Sequence, residues 1–422
     1  MTEVLKAVYD EVAKCNKCGF CQAHCPIFDI TRDERNVARG HNAHIKKLIE
    51  GELELNEELK DPLFECLLCR SCVANCFPAV RTDRNVVAGR AEYMRRVGQP
   101  KIMRFLFHNL LPDQRKMAKY VRLGAYGKNS GMTKLVRALG ILKWFGKDLD
   151  KVEGIIERLP TRYFREIAPS LDLGPREGKP KVAYFVGCGF NFVLPQVSVS
   201  TLAVLVHQGI RVDIAENCCC GLPAYGYGDL EAARAIARKN IETLERMDAE
   251  TVLTECGSCS AFLKDYPELF EDEPSFRERA EALAKKVKGF SEFMQPRLSS
   301  MGKAKELLVK VTYHDPCHMS RYQKIVKEPR AILQAIPGVQ YVEMPEADRC
   351  CGAAGSYNIM HYEQSMAVLA KKMENLKKTQ AQILTTECPG CLIQLSYGVR
   401  REKLPVEVIH ISQLLERAYL GN

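Results

Sequence analysis

Two short runs of cysteine constrain this chain more than any other feature. Cys15, Cys18, Cys21 and Cys25 stand in CNKCGFCQAHCP; Cys66, Cys69, Cys72 and Cys76 stand in CLLCRSCVANCFP. Both read C-x2-C-x2-C-x3-C, with Pro26 directly after the first run and Pro78 one place later after the second. Three closely spaced thiolates can wrap one face of a 4Fe-4S cube, and in the bacterial two-cluster run the fourth cysteine ligates the other cluster. The crossing predicts Cys15, Cys18, Cys21 and Cys76 on cluster one, and Cys66, Cys69, Cys72 and Cys25 on cluster two. Zinc takes four ligands, usually as C-x2-C pairs, and fits two identical four-cysteine runs poorly.

The chain has 19 cysteines, so eleven lie outside these runs. Ten of them form two sets: Cys188, Cys219, Cys220, Cys256, Cys259, and Cys317, Cys350, Cys351, Cys388, Cys391. Equivalent members are separated by 129, 131, 131, 132 and 132 residues, the mark of an internal duplication. Cys218 has no counterpart. In each repeat three apolar, β-rich runs lead to the cysteines: VAYFVGC and VKVTYHDPC, RVDIAENCCCG and YVEMPEADRCCG, TVLTEC and QILTTEC. Helical stretches such as DLEAARAIARKNIETLERM and YEQSMAVLAKKMENLKK lie between them. Strand alternating with helix predicts an α/β unit with a parallel sheet, its thiols gathered beyond the carboxyl ends of the strands. The glycine after each Cys-Cys predicts a tight turn beside a bulky group. Five convergent thiols exceed the needs of one zinc or one simple cubane. They point to an iron–sulfur site with an extra ligand, or to a cubane plus a redox thiol; a zinc or dithiol pair that stabilises the fold is the plainer alternative.

The rest of the chain bounds the reading. At 422 residues it has length for two to four domains. MTEVLKAVYDEVAKC carries no apolar signal segment and no twin arginine is visible, so clustered cysteines read as metal or redox groups rather than disulfides, in a cytoplasmic setting. The span from Val182 to Ile210 has no charged residue, but its Gly, Asn, Pro, Gln and Ser predict a buried strand, a cysteine loop and a core helix rather than a membrane span. Net charge is +9, and residues 101–150 hold eleven Lys or Arg against three acids. Apolar residues from Ile102 to Leu111 and from Leu135 to Phe145 are interleaved with this charge. The pattern suits a solvated helical connector with a buried stripe, a docking surface for an acidic partner subunit, or an anionic membrane surface. No nucleic-acid motif, G-x-G-x-x-G turn or P-loop accompanies it. The acidic run Glu50, Glu52, Glu54, Glu57 and Glu58 reads as a solvated face. His314 and His318, flanking Cys317, could hydrogen-bond a cluster sulfur or move a proton. Asp315 before Pro316 reads as a turn former, and Tyr184, Tyr225, Tyr227 and Tyr357 as packing.

At this point the chain resembles a known family. A two-cluster ferredoxin run, a helical connector and two CCG domains recur in the iron–sulfur subunits of glycolate and lactate dehydrogenases. They recur also in the anaerobic glycerol-3-phosphate dehydrogenase iron–sulfur subunit and in fused heterodisulfide reductase subunits. NCCCGLPAYGYGDLEAARAIARKNIETLE, VTYHDPCHMSRYQKIVKEPRAILQAIPGVQ and CCGAAGSYNI look most like the glycolate oxidase iron–sulfur subunit. The resemblance implies an oxidoreductase subunit without flavin of its own. It implies electrons taken from a separate FAD-containing 2-hydroxyacid dehydrogenase subunit and passed toward quinone. A cytochrome b or membrane-surface partner, and a peripheral place on the inner face of the cell membrane, go with that role. Glycolate-type subunits often lack the first cysteine of the C-x2-C pairs, whereas Cys256 and Cys388 are both present here. A full complement is similar to the heterodisulfide reductases, whose CCG domains hold non-cubane 4Fe-4S clusters at the site of disulfide cleavage. By motif, each five-cysteine set would hold one such cluster, and disulfide cleavage is the alternative function. The expected fold is α+β / α/β: a helix-rich two-cluster ferredoxin domain over 1–100, a basic connector over 101–175, and CCG repeats over 176–300 and 301–422.

Overall fold

The computed structural model describes residues 2–131, 149–173 and 181–421. Its N-terminal part is helical. The stretch between Cys25 and Cys66 forms the helix Ala38–Glu50, which buries Ile45 and Leu48 against the helix Thr82–Arg96. This matches the helical spacing of its apolar residues. The acidic run beyond it is exposed, as expected.

Each repeat is a four-stranded parallel sheet. In the first, β1 (Lys181–Tyr184), β2 (Arg211–Ile214), β3 (Thr251–Thr254) and β4 (Val287–Gly289) lie in the order β2-β1-β3-β4. In the second, β5 (Val309–Tyr313), β6 (Val339–Tyr341), β7 (Ile383–Thr386) and β8 (Glu407–His410) lie in the order β6-β5-β7-β8. The duplication therefore extends from cysteine spacing to strand order. Three strands per repeat fall where the sequence places them; β4 and β8 are additional. All pairings are parallel, so helices must cross between strands and cover the faces. The uncharged span beginning at Val182 resolves into β1, a cysteine turn and the helix Pro195–His207, as its polarity implied. Among the described residues no helix is long and apolar enough to cross a membrane.

The repeats share one core. Val182, Leu202 and Leu205 of the first pack in the same cluster as Val311, Ile332 and Leu414 of the second. Two exchanged contacts lock them. Glu387 accepts from Ser291 Oγ and N, and the His410 ring meets the carbonyl of Glu255 at 3.1 Å.

The connector is helical where described, over Lys101–Phe105 and Gln114–Asn129. Its apolar residues divide. Phe107, Leu111 and Met117 enter the core of the first repeat, while Ile102, Leu123 and Tyr126 are exposed among Lys101, Arg104, Lys119 and Arg122. The second half of the expected stripe, Leu135 to Phe145 with Lys134, Arg137, Lys143 and Lys147, lies outside the described residues.

Asp315 does more than shape its turn. It is buried, and Arg330 on the helix Lys327–Ala335 grips both carboxylate oxygens at 2.9 and 2.7 Å. Breaking such a pair strands a buried charge. Arg330→Leu is expected to cost about 3 kcal/mol, read as a fall in the denaturation midpoint, with Arg330→Lys in between. An unchanged midpoint would show that the pair is not holding this turn.

Candidate iron–sulfur sites

The two ferredoxin-type runs meet. The helix Phe20–His24 carries Cys21 and packs on Ser71–Ala74, which carries Cys72. Pro26 opens the helix Pro26–Thr31 at a position that needs no N–H, and Cys25 caps it, its Sγ accepting from the Phe28 amide at 3.5 Å. That turn aims Cys25 into one small cavity with Cys66, Cys69 and Cys72. Cys25 thus lies beside three cysteines of the second run. Cys15, Cys18 and Cys21 stay together toward the surface, where Cys18 is exposed. Cys76 is half-buried and lies two residues beyond the helix Ser71–Ala74 that packs on the Cys21 helix.

The CCG sets sit at the carboxyl ends of their strands. In the first repeat Cys188 opens a short helix after β1, Cys219 and Cys220 follow β2, and Cys256 caps the helix Gly257–Lys264 that carries Cys259. Cys188 and Cys219 have their sulfurs 3.9 Å apart. In the second, Cys317, Cys350, Cys351, Cys388 and Cys391 take the equivalent places, with Cys351 and Cys391 sulfurs at 3.5 Å. Gly221 and Gly352, directly after each Cys-Cys, have φ of +93° and +87°, a left-handed turn that glycine adopts without strain. All ten cysteines line a single cavity of about 520 Å³, walled also by Cys66, Leu68 and Arg90 of the ferredoxin part and by Phe107 of the connector. Ser258 joins the sets, its Oγ lying 3.3 Å from Cys388 Sγ and 3.2 Å from His318 Nδ1. His318 Nδ1 is in turn 3.6 Å from Cys317 Sγ.

The donor chemistry fits thiolate-bound metal. All 19 cysteines are free, and the ten lining the cavity crowd sulfur on sulfur rather than pairing as disulfides. Hydrogen bonds from Cys219 and Cys259 draw the Cys220 thiol down, and Cys391 does the same for Cys388. That shift favours the thiolate, the form that binds metal. His314 also fits. Its ring is buried, its Nδ1 has no hydrogen-bond partner among the described residues, and it offers a nitrogen within 4.8 Å of the Cys351 and Cys391 sulfurs. Cys218 does not belong to the set: its Sγ turns to Asn240 Oδ1 at 3.2 Å and is absent from the cavity wall.

Sequence reasoning missed the groups that seat these sites. Arg90 is buried and donates to the carbonyls of Leu63, Cys66 and Gly226, tying the ferredoxin part to the first repeat. Arg321 reaches the Cys69 carbonyl at 3.3 Å, and Tyr322 donates to the Leu68 carbonyl at 2.6 Å beneath the Arg70 guanidinium. Cys25, Cys69, Cys317 and Cys350 therefore share one apolar cluster across the junction. Glu255 and Glu387, one residue before Cys256 and Cys388, are buried; burial pushes both carboxyls up to about 7. Tyr225, Tyr227 and Tyr357 pack as expected, against Phe262, Phe64 and His361.

Fold and cysteine geometry together define an iron–sulfur protein with a dicluster domain and two cysteine-rich domains. Family models agree. The 4Fe-4S dicluster domain matches residues 11–79, and the cysteine-rich domain matches 182–264 and 311–396. The linker region of the glycolate oxidase iron-sulfur subunit matches 98–156. A Bacillus subtilis protein named "Probable glycolate oxidase iron-sulfur subunit" is 33% identical over 97% of this chain and 94% of its own length. Lactate utilization protein A of Bacillus subtilis is 32% identical over 56% of this chain and 98% of its own. A fumarate reductase (CoM/CoB) component of Methanothermobacter marburgensis is 34% identical over 57% of this chain and 46% of its own. The chain belongs to the glycolate oxidase iron–sulfur subunit family, an oxidoreductase component that carries multiple iron–sulfur clusters.

Proposed function

We propose that this chain is the electron-relaying subunit of a flavin-dependent 2-hydroxyacid dehydrogenase of glycolate or lactate type. It would take electrons from a separate FAD-containing subunit and pass them toward quinone or another acceptor. The observation that carries this reading is continuity. Cysteine sites follow one another from exposed Cys18 and its neighbour Cys21, whose charge is felt at Cys25, through the cavity of Cys25, Cys66, Cys69 and Cys72, to the apolar cluster shared with Cys317 and Cys350. Iron–sulfur clusters supply one-electron storage and transfer at such sites when bound. Cys15, Cys18, Cys21 and Cys76 would hold the outermost, and Cys66, Cys69, Cys72 and Cys25 the next. The two five-cysteine sets would hold the innermost, cubane or non-cubane. The chain's part is to keep these sites fixed and dry. Arg90, Arg321 and Tyr322 clamp the junction through backbone carbonyls, and the shared apolar cluster excludes water from it. The division at 1–100, 101–175, 176–300 and 301–422 follows the same functional parts.

The partner would dock over Cys18. Phe20, 66% exposed, and Phe77, 95% exposed, flank the outermost site and are the kind of aromatic anchor that dominates interfaces. In the complex isolated with its flavoprotein, Phe20→Asp with Phe77→Asp should lower hydroxyacid-dependent dye reduction about tenfold at limiting partner, with iron content unchanged. An undiminished rate would move docking elsewhere.

One observation favours a second reading, the cavity of about 520 Å³ that both five-cysteine sets face. A disulfide cleaved beside these sets would take two electrons and two protons to give two thiols. Thiol-linked dye reduction by the isolated chain would support it.

A further inference from the structure

The duplicated sites are not chemically equal. Matched from Cys188 and Cys317, the first repeat has Phe185, Gly189 and Phe192 where the second has His314, His318 and Arg321. The long helices can be matched through the glycine turns. Gly221 abuts Ile236 and the Ala233 carbonyl; Gly352 abuts Val368 and the Ser365 carbonyl. Four residues further along, Asn240 of the first repeat corresponds to Lys372 of the second.

Both side chains hold the loop that carries the Cys-Cys pair, with different charge. Asn240 Nδ2 donates to the Cys219 carbonyl at 2.8 Å, and its Oδ1 accepts from Cys218 N at 3.1 Å. Lys372 is fully buried, and its Nζ donates to the carbonyls of Glu346 at 2.6 Å and Ala347 at 3.2 Å. Its hydrogen-bond partners are carbonyls rather than a carboxylate, so the charge is not neutralised by its own hydrogen bonds. Burial pulls its ammonium down to about 8, while the carboxylates of Asp348, Asp315 and Glu346 nearby favour its charged form. The neighbouring cations Arg330 and Arg321 are paired, with Asp315 and Asp348. In the first repeat the cation Arg165 bonds Asn217 Oδ1 at 2.7 Å on the Cys218 flank and sits near Glu216 and Glu255.

A buried positive charge favours whichever state of a nearby group is more negative, and the interior screens it weakly. Net charge is one of the levers that set cluster potentials. We propose that the two five-cysteine sites have diverged into a pair of unequal reduction potential, the second the higher, and that Lys372 is the residue that raises it. Lys372 acts as a positioning residue, through space and through the Cys350 loop. The inference rests on the reading that each five-cysteine set holds an iron–sulfur cluster. It gives the pair a direction: an electron arriving across the Cys69 junction settles first at the second site, the one it reaches first.

The test is a redox titration of the full chain, loaded anaerobically and followed by electron paramagnetic resonance, on wild type, Lys372→Gln and Lys372→Arg. Gln keeps a neutral donor for the two carbonyls and Arg keeps the charge. Lys372→Gln should weaken the preference for the reduced form of one CCG signal at least tenfold, about 59 mV for one electron. Lys372→Arg should restore most of it, and the other signals should hold. Cys351→Ala identifies which signal belongs to the second site. A potential that stays or rises in Lys372→Gln at equal iron content, or a shift in a different signal, overturns the inference. An iron count of only about eight in wild type would instead sink the cluster reading beneath it. Should Lys372→Gln load poorly, the Arg variant decides: a second-site potential below the first site's in that loaded chain also overturns the proposal.

Discussion

Cys351→Ala is expected to strip the second CCG site of its metal while leaving the rest of the chain loaded. Cys351 Sγ lies 3.5 Å from Cys391 Sγ and faces His314, so its loss opens the densest part of that donor set. Iron should fall by about four atoms per chain if the site holds a four-iron cluster, with a matching loss of acid-labile sulfide. Cys218→Ala is the internal control. Cys218 is as buried as its neighbours and one residue from Cys219, yet its sulfur points to Asn240. Iron should therefore stay at the wild-type level in that variant. Equal iron in Cys351→Ala and wild type would contradict the assignment of this set; equal losses in both variants would place Cys218 among the ligands.

The second large effect concerns the seat of the relay rather than its ligands. Arg90 is 5% exposed and gives three carbonyls a charged donor, from Leu63 and Cys66 of the ferredoxin part and Gly226 of the first repeat. Unmaking buried hydrogen bonds costs about 1–3 kcal/mol for each group left unpaired. Arg90→Met should therefore destabilise the junction by about 3–5 kcal/mol. The observable is a lower thermal midpoint with faster proteolysis between the ferredoxin part and the first repeat. Arg90→Lys should recover only part, because a compact ammonium cannot reach three carbonyls that the guanidinium meets separately through Nε, Nη1 and Nη2. A wild-type midpoint in Arg90→Met would show that the junction is held by its apolar contacts alone.

What was legible in the sequence follows from which signals are local. Cysteine spacing is a local signal with a narrow chemical meaning, so both ferredoxin-type runs, the duplication and the odd Cys218 stand in the text of the chain. Strands β1, β3, β5 and β7 were legible because a buried parallel strand is a short apolar run ending at a turn. β4 and β8 were not: VKG is three residues long, and EVIH begins with an exposed glutamate. Partnerships across the chain were illegible for a different reason. Lys372 sits in a helix with Lys371, Lys377 and Lys378, and only its place four residues after Val368 and four before Leu376, on the apolar face, marks it as the buried one. Arg90 hides in the same way among Arg84, Arg95 and Arg96. Glu255 and Glu387 look like surface acids until the folded chain sets them against Ser198 and Ser291. Asp315 read as a turn residue because its Arg330 partner is 15 residues away.

A relay of this kind requires that a hydroxyacid reduce the clusters of this chain. The decisive measurement is electron paramagnetic resonance of the anaerobically purified complex, before and after adding glycolate or lactate. Signals of reduced iron–sulfur clusters should appear on adding one of these acids, and should be missing when a dithiol is added in its place. Clusters that stay oxidised with every 2-hydroxyacid, yet become reduced with a thiol, would contradict it.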